Sequence, residues 1–107
     1  MTTLASVITG KVSDYGIEYR IHATRRMFQR NIDNEEVELI LKNGEIIEQY
    51  DNDFPLPSLL LNGKTETNRP LHVVVGMNFS ERLLIIITAY EPDMVLWSKD
   101  FSRRLTI

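Results

Sequence analysis

At 107 residues, with 43% hydrophobic and 25% charged side chains, the chain is sized for one globular domain with enough apolar material for its own core. It has no cysteine, which excludes disulfides, thiolate nucleophiles and thiolate zinc sites. The net charge of −3 runs against the basic balance usual in nucleic-acid binders, yet the charge is uneven: residues 1–32 carry five basic and two acidic groups, residues 33–68 two and nine, and residues 69–107 five and four.

The opening MTTLASVITGKVSDYG lacks the basic-then-apolar pattern of a signal peptide, and the longest apolar run, residues 83–87, suits a buried strand, so a cytoplasmic location and no membrane contact are expected. Leu4, Val7, Ile8 and Val12 repeat at helical spacing and predict a short helix over residues 2–12, ended by Ser13, Asp14 and Gly16. After an extended stretch, residues 17–21, a second helix is predicted over 22–32. Its wheel places Ala23, Thr24, Met27, Phe28 and Ile32 on one half and His22, Arg25, Arg26, Gln29 and Arg30 on the other. Asp33 followed by Glu36 has the spacing of a capping box and opens a helix through Val37, Leu39, Ile40 and Leu41 that Gly44 ends.

From residue 45 the texture becomes short apolar runs bounded by Asn, Asp, Gly and Pro, which predicts strands over 46–50, 58–62, 71–77 and 83–90. The last two are close enough for an antiparallel hairpin. The tail from Met94 onward, with Trp97, Arg103 and Arg104, reads as a short helix or a packed arm, Trp97 belonging to the core. The expected fold is a single α+β domain over residues 1–107: a small antiparallel sheet of about four strands with two or three N-terminal helices packed on one face.

Two histidines without cysteine give no metal-ligand spacing, so neither metal nor cofactor is expected, and general acid and base roles suit imidazole better. If Met77 pairs with Leu83, His72 faces Thr88, and Tyr90 lies one diagonal step away on the same face; a one-residue slip would break that constellation. His72 then reads as a catalytic group or as a core-edge histidine satisfied by a neighbouring hydroxyl. The single-signed face of His22, Arg25, Arg26 and Arg30 reads as a phosphate-binding surface or as partners for Glu35, Glu36, Glu38 or Glu48. Tyr90 could stack on a base, donate a proton or cap the core. Arg103 and Arg104 supply a second phosphate contact or a solubilising end.

The segments HATRRMFQRNI, GEIIEQY, FPLPSLLLNG, RPLHVVV and TAYEPD, followed by Trp97, Asp100 and Arg103, together resemble the family catalogued as domain of unknown function 4258, over about residues 17–104. Proteins of that kind are similar to the RelE-like and BrnT-like toxins of bacterial toxin–antitoxin pairs. The resemblance implies metal-independent cleavage of RNA, free or ribosome-associated mRNA, by 2′-hydroxyl attack. It also implies a cognate antitoxin resembling a zinc-finger protein, and it is compatible with a homodimer. Carried onto this sequence, it implies His22, His72 and Tyr90 as catalytic residues and Arg26, Arg30, Thr88 and Arg103 as RNA contacts, to which the single-signed helix face adds Arg25. Toxins of that shape are usually basic, so the acidic balance here points to a narrow site or a ribosome-held substrate. The competing reading is a non-catalytic interaction module whose acidic middle third docks a basic partner. A small-molecule hydrolase comes last, for want of a Gly-rich phosphate loop or a nucleophile elbow.

Overall fold

The computed structural model describes residues 2–8 and 10–106. Helix α1 spans Ile21–Gln29 and helix α2 spans Asn34–Asn43. What separates them is a helix stop. Asn31 takes φ 56°, the left-handed region that asparagine tolerates better than most residues. The Asn31 N–H donates to the Phe28 carbonyl and the Ile32 N–H to the Met27 carbonyl, satisfying two carbonyls of the last turn. Ile32 and Met27 are buried in one core cluster, the apolar contact that accompanies this motif. Arg30 is thereby the C-cap residue of α1, at the seam between the helices.

Helix α2 opens on the predicted capping box: the Glu36 N–H donates to Asp33 Oδ1 at 2.8 Å and the Asp33 N–H to Glu36 Oε1 at 3.0 Å. It ends at Gly44 through crowding, since a Cβ there would lie 2.6 Å from the Ile40 carbonyl oxygen.

Five strands form one sheet: β1 Gly16–Tyr19, β2 Glu45–Tyr50, β3 Ser58–Lys64, β4 Pro70–Asn78 and β5 Leu83–Tyr90, in the order β1-β5-β4-β3-β2. Strands β2 to β5 are the expected antiparallel meander. The sheet is mixed and five-stranded because residues expected only to be extended add β1 parallel to β5. Parallel pairing follows from connectivity: the chain leaves β1 through the helices and returns by way of the meander. The expected first helix is instead two 3₁₀ turns, Leu4–Ser6 and Val12–Asp14. Gly10, at φ 93°, cannot lie in a helix, and Thr9, within that expected helix, lies outside the described residues. The tail is a packed arm, closed on itself by a bridge between Trp97 and Arg104.

The core lies between the helices and one sheet face. Ala23, Met27, Val37, Ile40 and Leu41 meet alternate strand residues such as Leu61, Val73, Val75, Leu84 and Ile86. Within α1 only Ala23 and Met27 are buried. Thr24 and Phe28, expected inside, are exposed, Phe28 by 88%. Helix α1 rests mainly on the single strand β5, so its buried stripe is narrow. Replacing Asp33 with Ala removes the capping acceptor, and urea unfolding should show a loss of about 1 kcal/mol with an unchanged denaturant slope.

Candidate functional site

The site grows from the register of β4 and β5. Met77 pairs with Leu84, one residue beyond the expected partner, and a bulge at Ile87 adds a second one-residue shift, so Val74 pairs with Thr88 and His72 with Tyr90. Either shift alone would reverse the face. Together they restore it and bring Tyr90 directly opposite His72 instead of diagonal to it.

Leu71 and Val73 point into the helix-side core, so His72 between them points to the other sheet face, where the arm covers it completely. His72 Nε2 lies 2.8 Å from the Phe101 carbonyl oxygen, which can only accept, so Nε2 carries the proton. In the neutral ring Nδ1 is then an acceptor, and the Tyr90 hydroxyl donates to it at 3.2 Å. Burial pushes the His72 imidazole below its ordinary pKa, which keeps it neutral. The Trp97 ring meets it edge-on at 4.4 Å between centroids. His72 is thus enclosed, with both nitrogens partnered.

The arm is held in two further ways and braced within itself. Asn62 donates from Nδ2 to the Asp100 carbonyl at 3.1 Å. Arg104 donates to Glu48 from Nε at 2.7 Å and Nη2 at 3.2 Å, and its guanidinium lies 4.6 Å from the centre of the Trp97 ring. Hydrogen bonds from Ser102 and Ser98 bring the Asp100 carboxyl down to about 2 and tie the turn in which Phe101 takes φ 63°. That turn aims the Phe101 carbonyl inward.

Where arm, β5 and the helix seam meet, an open cleft of about 460 Å³ is lined by Arg30, Arg69, Tyr90, Glu91, Asp93, Leu96 and Trp97. Tyr90 is half-buried there, and burial raises its pKa, so it remains a proton donor. Arg104 and Arg30 act the other way on the same group, favouring the phenolate. Arg30 Nη1 donates to the Ala89 carbonyl at 2.9 Å, which fixes its stem without using a carboxylate. Arg69 is saturated: it pairs with Glu91 and Glu36 and donates to the Asn31 and Arg30 carbonyls, both at 2.6 Å. Of the two acids in the cleft, Glu91 is bound to Arg69, whereas Asp93 Oδ1 accepts only the Val95 N–H at 2.8 Å.

The sequence-predicted residues divide accordingly. Arg30 and Tyr90 share the cleft, and His72 stands behind Tyr90. Arg25 and Arg26 are exposed on α1, with no ion pair to the acidic middle third among the described residues. His22, exposed in the first turn of α1, lines a separate shallow cavity with Arg20, Ile21 and Ile85, so the two imidazoles share no site. Thr88 lies beside the bulge and Arg103 on the exposed turn of the arm, both outside the cleft. Sequence reasoning missed Arg69 and Asp93, and it offered Glu48 as a partner for the α1 cations and Arg104 as a phosphate contact or a solubilising end, when the two pair with each other. Arg69 could have been noticed just before Pro-Leu-His, but nothing local links Glu48 to Arg104. Among the described residues no group of three His, Asp or Glu side chains could hold a metal ion, and no helix is long and apolar enough to cross a membrane.

Residues 19–91 match the family described as Domain of unknown function (DUF4258). The chain belongs to that family. No curated protein and no solved structure matches it. The DUF4258 match runs from the end of β1 to just past β5, so it takes in Arg30, His72 and Tyr90, while the arm that supplies Trp97, Phe101 and Arg104 lies beyond it.

Because folding holds His72 neutral below its ordinary value of 6.5, the unfolded chain takes up a proton that the folded one refuses. Stability from this source is complete above pH 6.5 and falls as the pH drops from 6.5 toward the depressed folded value. His72→Gln should flatten that segment of the profile in urea unfolding and cost about 2–4 kcal/mol at neutral pH, since Tyr90 and Phe101 lose a matched partner.

Proposed function

We propose that this protein is an endoribonuclease of the toxin kind, cutting RNA by attack of a 2′-hydroxyl on the adjacent phosphate and restrained by a partner antitoxin. One observation carries the reading: the cationic row of α1 runs down to Arg30, and Arg30 lines the same cleft as Tyr90. Phosphate bound there would sit between a guanidinium with free donors and a phenol that still holds its proton.

In this reading the 2′-oxygen bonds to phosphorus and the bond to the 5′-oxygen breaks. The 2′-hydroxyl proton goes to the Asp93 carboxylate, and Tyr90 turns its hydroxyl proton from His72 Nδ1 to the departing 5′-oxygen and gives it up there. The charge left on Tyr90 is one that Arg30 and Arg104 favour, and until the proton leaves His72 holds the phenol in place through Nδ1. Arg30 takes the crowded phosphate, and Arg26, one helical turn away, takes its neighbour. His72 acts through Tyr90 and touches no substrate, so it is a positioning residue. His22 is too far along α1 to share the cleft and would serve a flanking contact.

Purified protein should cut single-stranded RNA in chelator-containing buffer and leave a 2′,3′-cyclic phosphate. Tyr90→Phe should lower the single-turnover rate roughly 10²-fold or more, the usual weight of an acid–base group. Arg30→Ala should lower it similarly. Intact RNA with the folded wild-type protein would sink the reading.

A second reading, a docking module for a basic partner, draws on the open groove of about 730 Å³ between α2 and the β3–β4 connection, lined by Asp33, Glu35, Glu36, Glu38 and Glu66 with Lys42. It would gain if RNA stayed intact while Glu35→Lys and Glu38→Lys together abolished binding of a basic antitoxin.

A further inference from the structure

The sequence pattern assigned Phe28 to the core, yet it stands 88% exposed in the last turn of α1. A phenylalanine in water at that extent forgoes about 1.5–3 kcal/mol of burial, so its position calls for an occupant. At about 100° per residue, Ile21, Arg25 and Phe28 share the outward crest of α1, directly away from the buried Ala23 and Met27. Arg25 lies one turn before Phe28 on that crest, whereas Arg26 lies about 100° further round the helix, on the side of Arg30 and the cleft. Helix α1, IHATRRMFQ, carries no acidic residue. The other phenylalanine as exposed, Phe54 at 95%, lies in the β2–β3 connection beside Asp51 and Asp53 and has no such cations.

We propose that the crest of α1 binds single-stranded RNA, with the Phe28 ring stacked on one unpaired base, Arg25 beside it holding the adjoining phosphate, and Arg26 taking the strand on toward the cleft. The inference rests on the cleavage reading and deepens it by naming the substrate as unpaired, entering the cleft across α1. A bare ring beside a guanidinium is the combination that single strands need, because every base offers a face to stack and every linkage a charge to neutralise. A duplex keeps its base faces covered and offers nothing to Phe28. A protein partner fits less well. Ile21 and Phe28 are the exposed large hydrophobics on this helix and could bury about 400 Å² between them, against roughly 800 Å² per partner in a standard interface. The acidic balance of the rest of the chain confines an anionic strand to this helix and the cleft beside it.

The test uses the intact protein and a short 2′-O-methylated RNA strand, which offers no 2′-hydroxyl for attack, so binding is read apart from cleavage. Fluorescence anisotropy should show the strand bound more tightly than its duplex. Phe28→Ala should weaken binding about 10-fold or more with an unchanged melting temperature, and Phe28→Trp should restore it. Arg25→Ala should weaken binding and reduce its dependence on salt. Equal binding by Phe28→Ala and wild type, preference for duplex, or a Phe28→Ala variant that loses an antitoxin but not RNA would each overturn the inference. Cleavage of unmodified RNA that is indifferent to Phe28 overturns it while sparing the proposed activity. Phe28-dependent binding without cleavage supports the RNA surface and sinks the activity.

Discussion

The packing of the far sheet face rests on one uncharged imidazole. His72 sits inside β4, shut off from solvent, and spends one nitrogen on the hydroxyl of β5 and the other on a carbonyl of the arm. A charged ring in that place would carry a burial cost that the Phe101 carbonyl and the Glu48 carboxylate, itself paired with Arg104, offset only in part. The other ties of the arm are weaker: a single amide bond from Asn62 and an ion pair between Glu48 and a largely exposed Arg104. The arm therefore depends on His72, and the cleft depends on the arm, since Leu96 and Trp97 are two of its walls.

Arginine does two separate jobs here. Arg69 and Arg104 are spent on carboxylates and carbonyls within the protein, and Arg69 in particular joins the start of β4 to the main chain at Arg30 and Asn31. That rivet is worth more as geometry than as charge, because it settles where the end of α1 stands relative to β5. Arg25, Arg26 and Arg30 are in no ion pair with another described residue, although nine of the fifteen acidic groups lie in the middle third. The acidic groups nearest the helix seam are engaged elsewhere: Glu36 and Glu91 face Arg69, and Glu38 accepts from Tyr19. The cationic surface is preserved by local pairing among the residues that could have neutralised it.

Much of the fold was legible in local chemistry. The Asp33–Glu36 box, the Gly44 stop and the four meander strands follow from capping and from apolar runs bounded by turn residues, each decided within a few residues. Strand β1 was not, because four residues can be told from loop only by the partner they find, and that partner, β5, lies far along the chain. The wheel of α1 failed at Phe28 for a related reason: periodicity marks which residues could face inward, whereas the breadth of the buried stripe is set by what the helix packs against. At the site, the pairing of His72 with Tyr90 was within reach but its partner on the arm was not. A hydrogen bond to the backbone of Phe101 carries no side-chain signature.

The bulge at Ile87 has a consequence for which changes β5 can tolerate. Leu84 and Ile86 look toward the helices, and strict alternation would send residues 88 and 90 the same way. The spare residue inverts the count, so that Ala89 fills the narrow space beneath α1 and Tyr90 emerges at the cleft. The same residues run without the bulge would drive a phenol into the core and leave a methyl group facing the cleft. The position of that one unpaired residue therefore matters as much as the identity of Ala89 or Tyr90, and a change that moved the bulge beyond Tyr90 would dismantle the cleft without replacing any residue that lines it.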